Sequence, residues 1–406
     1  MGNLPHRQSA SYVALLAAGH FLSDFYVTFL PGLLPVMIEK LGMSLTLSGL
    51  LVMVYSFASN IVQPICGYYI DKSGYTWLIL LTIPVSAVFI CLSGLAPSPA
   101  ILFAFITLSG LASSLFHPLG SALLGKVSSE QNKGLAMAVF IGGGNFGVAA
   151  APAIVIFFLM RYGPENLLWL AAPGLLLTLA YYFAGLHRIR LMPATTAGAA
   201  PPGATWYRSG RLLALNIVMG LRAWPQAALP NFLPVWLAQQ GHSPTIAGSL
   251  LTIFLLGGAL GSVGGGYIGD KLGRKGCIIG SLALCLPAMY LFLTSVELSP
   301  LTWAALFVSG AALQATLPSS IVWAQDLLPS NAAMASGMML GLSFGLGGVG
   351  AAATGALADV IGLKQALLWT IAPVTLAIIL TYFIPSTPAA TFTGRKTSTP
   401  RWESQS

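Results

Sequence analysis

The sequence predicts an all-α membrane protein: twelve transmembrane helices arranged as two pseudo-symmetric six-helix bundles. Three observations lead there. The 406 residues are 56% hydrophobic and only 7% charged, whereas a water-soluble chain carries roughly a quarter of its residues charged. A mean hydropathy of +0.81 then describes a surface that faces lipid. Apolar runs long enough to cross a hydrocarbon core, about 20 residues each, recur along the whole chain. Finally, the sequence repeats itself once at a nearly constant spacing.

Taken in order, hydropathy places helices over 11–38, 45–70, 76–96, 99–126, 132–160 and 166–187. The opening run, Ser11 to Ile38, is too long for the apolar core of a cleavable signal and reads as a retained span. Residues 1–187 thus form an N-terminal six-helix bundle. Residues 188–209 carry Arg188 and Arg190, a Pro/Ala/Gly/Thr stretch and Arg208, a composition that suits a flexible cytoplasmic linker. Helices over 210–238, 244–269, 276–296, 299–325, 331–360 and 365–385 make the C-terminal bundle, residues 210–385. Residues 386–406, rich in Thr, Ser and Pro, read as a disordered cytoplasmic tail. Cys66, Cys91, Cys277 and Cys285 lie in or beside apolar runs without CxxC spacing. They read as small apolar residues, not metal ligands or disulfides, and neither metal nor cofactor is expected.

Charge placement gives orientation. With both termini cytoplasmic, that side holds Arg7, Lys72, Lys126, Lys133, Arg188, Arg190, Arg208, Arg211, Lys271, Arg274, Lys275, Arg395, Lys396 and Arg401. The other side keeps only Lys40, Arg161 and Lys364. That asymmetry follows the positive-inside rule. The net charge of +8 therefore reflects topology and calls for no nucleic-acid partner.

The repeat is specific. Leu30-Pro-Gly-Leu-Leu-Pro-Val36 recurs as Leu229-Pro-Asn-Phe-Leu-Pro-Val235, displaced by 199 residues. At that displacement Thr46, Gly49, Gly67 and Asp71 match Thr245, Gly248, Gly266 and Asp270. A displacement of 203 aligns Gly134, Gly142, Gly144 and Gly147 with Gly337, Gly345, Gly347 and Gly350. Two six-span halves in parallel orientation are the architecture of a class of secondary transporters.

The strongest motif is Gly266-Tyr-Ile-Gly-Asp-Lys-Leu-Gly-Arg-Lys275, with a degenerate twin at Gly67-Tyr-Tyr-Ile-Asp-Lys-Ser-Gly74. Glycines let two helices approach closely. The aspartate can accept from a neighbouring helix N-terminus, and the cations can fix the loop to nearby acids. The stretch resembles the cytoplasmic loop of the major facilitator superfamily, G-x-x-x-D-[RK]-x-G-[RK]-[RK]. That resemblance implies the major facilitator fold and a cytoplasmic latch formed by Gly67, Asp71, Lys72, Gly266, Asp270, Lys271, Gly273, Arg274 and Lys275.

A closer resemblance runs along nearly the whole chain. Gly19-His-Phe-Leu-Ser-Asp24, Leu115-Phe-His-Pro118, Gly143-Gly-Asn-Phe-Gly147, Ala324-Gln-Asp-Leu-Leu-Pro329 and Phe344-Gly-Leu-Gly-Gly-Val-Gly-Ala-Ala352 are similar to signatures of the superfamily's fosmidomycin-resistance branch. The resemblance implies a bacterial inner-membrane exporter driven by proton antiport. Two departures stand out. Leu119 follows the His-Pro pair where the branch often has an acid, and Val148 replaces the proline of the antiporter pattern begun at Gly134, Gly143 and Gly147. Gly142–Gly147 and Gly264–Gly269 fit G-x-G-x-x-G but follow no strand, so they serve helix packing and not nucleotide binding.

Ionisable groups inside the membrane carry the functional expectation, because each costs about 2.5–3.5 kcal/mol at a helix centre unless wet or paired. Asp24 in the first helix and Arg222 in the seventh qualify, and Asp24 aligns with Ala223, next to Arg222. Helices 1 and 7 line the central cavity in the superfamily. The two charges there make either a static salt bridge or a working pair. In the second reading Asp24 takes and releases the coupling proton, while Arg222 binds an anionic substrate group or competes for Asp24. His20, one turn before Asp24, is a candidate proton relay. His117, Asn145, Gln226 and Gln314 are candidate substrate ligands, with Phe21, Tyr55, Trp224 and Phe344 as an apolar wall. The expected function is proton-coupled efflux of a small antimicrobial or metabolite by alternating access, in a monomer whose partners are substrate, protons and bilayer. A proton-coupled importer of a sugar or organic acid would share this fold, repeat and latch. A membrane-embedded enzyme would need a catalytic constellation such as HExxH, and no HExxH occurs in the sequence.

Overall fold

A computed structural model of the chain describes residues 6–128, 133–191, 209–295, 297–327, 335 and 338–385. Residues 192–208 of the predicted linker and the whole predicted tail, 386–406, lie outside them, as do the Asp71 side chain and the end of the 324–329 motif. The described residues contain twelve helices long and apolar enough to cross a membrane. They are α1 Ser9–Leu41, α2 Leu45–Ile70, α3 Thr76–Leu95, α4 Pro99–Val127, α5 Val139–Tyr162, α6 Pro164–Ala184, α7 Gly210–Gln239, α8 Pro244–Leu272, α9 Arg274–Thr294, α10 Pro300–Leu327, α11 Met338–Ile361 and α12 Leu363–Phe383. Short connections make successive helices antiparallel. One end of the bundle, the terminal face, holds the start of α1 and the end of α12; the far face holds the turns after α1 and α11.

Proline and glycine punctuate these spans as their chemistry requires. Pro31 lacks an N–H, and its ring crowds the carbonyl four residues back, which is that of Val27. The α-helix accordingly stops at Val27 and resumes at Phe29, with the Thr28 hydroxyl donating to the Asp24 carbonyl at 2.8 Å. Pro64 has the same effect on Asn60, and α2 widens into a π-turn over Phe57–Ile61. The sixth helix, expected to run to 187, ends at Ala184 because Gly185 turns left-handed at φ 75° and closes it.

The halves meet near the far face along two seams, α2–α11 and α5–α8, with the end of α1 also packed on α7. At the first, α2 packs on α11 almost backbone to backbone: a Cβ on Gly49 would lie 2.7 Å from the Ala351 carbonyl oxygen and 2.9 Å from Ala352 Cα. At the second, α5 meets α8 through side chains, with Ile156 reaching Gly248 and the Thr245 hydroxyl 3.6 Å from the Met160 sulfur. The repeat holds in three dimensions. Gly144 of α5 abuts Asp24, and its counterpart Gly347 of α11 abuts Ala223, the counterpart of Asp24.

Candidate functional site

Three sequence-predicted residues come together in the N-terminal half. Asp24 lies between two imidazoles: His20 Nε2 is 3.3 Å from Oδ2, and His117 Nε2 is 3.5 Å from Oδ1. His20 is there because i and i+4 share a helix face; His117 is delivered by α4, which packs on α1. All three lie within an apolar chain, yet the side chains of His20, Asp24 and His117 keep 12%, 19% and 26% of their surface open. Phe140 packs on the His20 ring with centroids 4.1 Å apart, and Phe116 flanks it at 6.0 Å. Room for the cluster comes from Gly144, where a Cβ would stand 2.5 Å from Asp24 Oδ2 and 2.7 Å from His20 Nε2.

The hydrogen-bond pattern dictates the chemistry. His20 Nδ1 lies 2.8 Å from the Phe140 carbonyl oxygen. A carbonyl only accepts, so Nδ1 donates, and in a neutral ring Nε2 is left with a bare lone pair. That lone pair faces a carboxylate oxygen. The contact is attractive only when a proton lies between them, as imidazolium against carboxylate or as imidazole against carboxylic acid. The ligand atoms of the three residues all fall within 4.8 Å of one another, close enough to share a small cation such as a proton.

Arg222 lies elsewhere. It is fully buried in the C-terminal half, where Nε donates to the Leu313 carbonyl at 2.7 Å and Nη2 donates to Gln314 Oε1. Among the described residues Asp24 pairs with the two histidines and not with Arg222, so the expected clamp between the two charges is absent from this conformation. The physical reason is that each group finds its hydrogen-bond partners within its own half. Arg222 Nη1 and, one turn on, Gln226 Oε1 remain buried without a hydrogen-bond partner.

The remaining candidates divide. Phe21 stacks between Phe25 and Phe146, centroids 5.7 Å from each, beside the cluster. Tyr55 is buried against Gly110 of α4. Trp224 donates its Nε1–H to the Thr354 hydroxyl at 2.8 Å and packs on Gly350, which joins α7 to α11. Asn145 is exposed, one residue past Gly144, and Phe344 is half-buried on α11. In the predicted latch, Arg274 pairs with Asp326 at the end of α10. Lys275 donates to the carbonyls of Tyr382 and Ile384 at 2.7 and 2.8 Å, and Lys271 sits 4.4 Å over the Tyr267 ring. Gly266 approaches Pro318 as Gly67 approaches Pro118. These cations are thus tied within their own half.

Sequence reasoning passed over Phe140, Gly144 as a spacer, and Asp359 of α11, whose carboxylate accepts from the N-terminus of α2. A carbonyl contact leaves no signature in sequence. For Asp359 the only signal was an acid near the end of an apolar span.

Comparison with known proteins agrees with the fold. A model described as Major Facilitator Superfamily matches residues 16–213 and 215–404. The chain is 28% identical over 366 residues to the Fosmidomycin resistance protein of Escherichia coli (strain K12), covering 87% of each. It is 30% identical over 385 residues to the Uncharacterized MFS-type transporter YfnC of Bacillus subtilis (strain 168), covering 92% of this chain and 93% of that one. Among solved structures, a bacterial homolog to the human lysosomal transporter Spinster, in an inward-facing and unoccupied conformation, superposes with a TM-score of 0.80 at 15% identity. That match covers 94% of this chain and 98% of that one. A variant of the nucleoside transporter NupG gives 0.76 at 16% identity, covering 92% and 100%.

Proposed function

Because the chain belongs to the Major Facilitator Superfamily, we propose that it is a proton-coupled exporter of a small anionic antimicrobial or metabolite, fosmidomycin-like in kind, working by alternating access. The observation that carries the proposal is the His20–Asp24–His117 cluster on α1 and α4, where a histidine lone pair faces a carboxylate and a shared proton would satisfy both. The 28% identity to a fosmidomycin resistance protein supports the direction and the substrate class.

In this reading a second proton joins the cluster from the outer side and leaves to the cytoplasm, with His20 and His117 passing it to and from Asp24. Arg222 takes the anionic group of the substrate. Its Nη1 is the donor left over in the half opposite the proton site, available once α7 moves and the guanidinium is uncovered. The charges do not trade partners directly, so coupling runs through the rocking of the halves. The protein sits as a monomer in a bacterial inner membrane, with the terminal face toward the cytoplasm.

The test is fosmidomycin tolerance in a bacterial host lacking its own exporter, comparing wild type with Asp24→Asn at equal membrane expression. Tolerance conferred by wild type and lost in the variant is the expected result. Tolerance retained by Asp24→Asn would sink the proton site. No tolerance from an inserted wild type would remove the drug assignment and leave export of a metabolite or import of a sugar or organic acid.

A further inference from the structure

We propose that Asp359 is a conformational clasp, a carboxylate of α11 that grips α2 by its N-terminus and sets how much of the protein rests closed at the far face. α2 starts at Leu45 with no acidic residue in its first turn, so it lacks an anion of its own for its unpaired N–H groups. Ser44 accepts from the Leu47 N–H at 3.1 Å. The other two donors are satisfied across the boundary between halves. The Leu45 N–H donates to Asp359 Oδ1 at 2.9 Å and the Thr46 N–H to Oδ2 at 2.8 Å, while the Thr46 hydroxyl adds a third bond to Oδ2 at 2.6 Å. A carboxylate in this position meets both the orphan donors and the positive end of the helix dipole. It is exposed, so these bonds open into water.

The internal repeat supplies a control. Ser243, Pro244, Thr245 and Gly248 of α8 stand where α2 has Ser44, Leu45, Thr46 and Gly49. Ser243 accepts from the Ile246 N–H just as Ser44 does from Leu47. There the likeness ends. Pro244 has no N–H to offer, the Thr245 hydroxyl meets the Met160 sulfur, and Gly248 faces the Ile156 side chain. One seam is clasped by charge and the other is apolar. Opening the far face must pull Leu45 and Thr46 away from Asp359, and among the described residues no ion pair between α5 and α8 opposes it.

The experiment measures the distance between spin labels at Glu39→Cys and Gln365→Cys, exposed sites at the far face in either half. It uses the full chain in nanodiscs, with the four native cysteines replaced by alanine. Asp359→Ala is expected to move the distribution toward the longer separation by about tenfold, the weight of a bond to a charged acceptor, and Asp359→Glu to restore it. Leu45→Pro copies the other seam and suits a first helical position; it and Thr46→Val should give smaller shifts in the same direction. Distributions for Asp359→Ala and Leu45→Pro that match the parent overturn the clasp. If Asp359→Ala does not insert, Leu45→Pro and Thr46→Val decide by the same criterion. No substrate or proton gradient enters the readout, so its failure is separable from failure of the export reading.

Discussion

Asp24 is one carboxylate among two imidazoles, and in the export reading the cluster works only while each atom keeps its partner. Gly144→Ala tests this without touching a titratable group. The added methyl would stand 2.5 Å from Asp24 Oδ2, so gradient-driven flux should fall at least about tenfold, the penalty of a small misplacement at a working site. Because alanine favours a helix over glycine by about 1 kcal/mol, the melting temperature should not explain the loss. Arg222 separates structure from function in another way. Arg222→Lys gives up the planar fork that reaches both Leu313 and Gln314 and should cost about 1–3 kcal/mol of stability. Arg222→Met removes the buried charge altogether. It should be the more stable of the two, as apolar replacement of buried charge often is, yet lose binding of an anionic substrate in a direct assay. The site was legible in sequence where chemistry breaks hydropathy: His20, Asp24, His117 and Arg222 interrupt apolar runs, and the i, i+4 spacing put the first two on one face. The partners of Arg222 were not legible, because the Leu313 carbonyl and the Gln314 amide reach it only through the packing of α10 on α7. The expected apolar wall divides for the same reason, with the Trp224 Nε1–H held by Thr354.

At the scale of elements, the spans were readable because hydropathy and Pro/Gly punctuation act locally. All twelve fall close to their expected ranges, and α6 stops early only because Gly185 closes it. Seams between halves were not readable in the same way, since close approach depends on which glycines face one another. Gly49 and Gly355 do so at the α2–α11 seam. Gly49→Val inserts a branched side chain against backbone atoms that have nowhere to retreat, which typically costs about 1–3 kcal/mol. The expected outcome is a lower melting temperature together with weaker closure of the far face, read by cross-linking between α2 and α11. The matching change at Gly248 meets Ile156, a side chain able to rotate, and should be milder.

At the scale of the whole molecule, the positive-inside rule applied to the Lys and Arg distribution predicts a cytoplasmic terminal face. A fluorescent reporter that matures only in the cytoplasm should therefore light when fused to the C terminus, while a periplasmic phosphatase fused there should stay inactive. The fold was legible as a whole because two similar halves leave their displacement written in the chain, from Leu30–Val36 to Leu229–Val235. A last consequence follows from the bond between His20 Nδ1 and the Phe140 carbonyl. That bond turns the His20 Nε2 lone pair toward Asp24, so in the export reading loss of the bridging proton is costly and the cluster rests with one proton and loads a second. The site then switches between neutral and singly positive, where a bare carboxylate would switch between negative and neutral. Membrane voltage would act on the loaded carrier and leave the unloaded one electrically silent. On a solid-supported membrane, a pre-steady-state current confined to the proton-loaded half of the cycle is the expected signature.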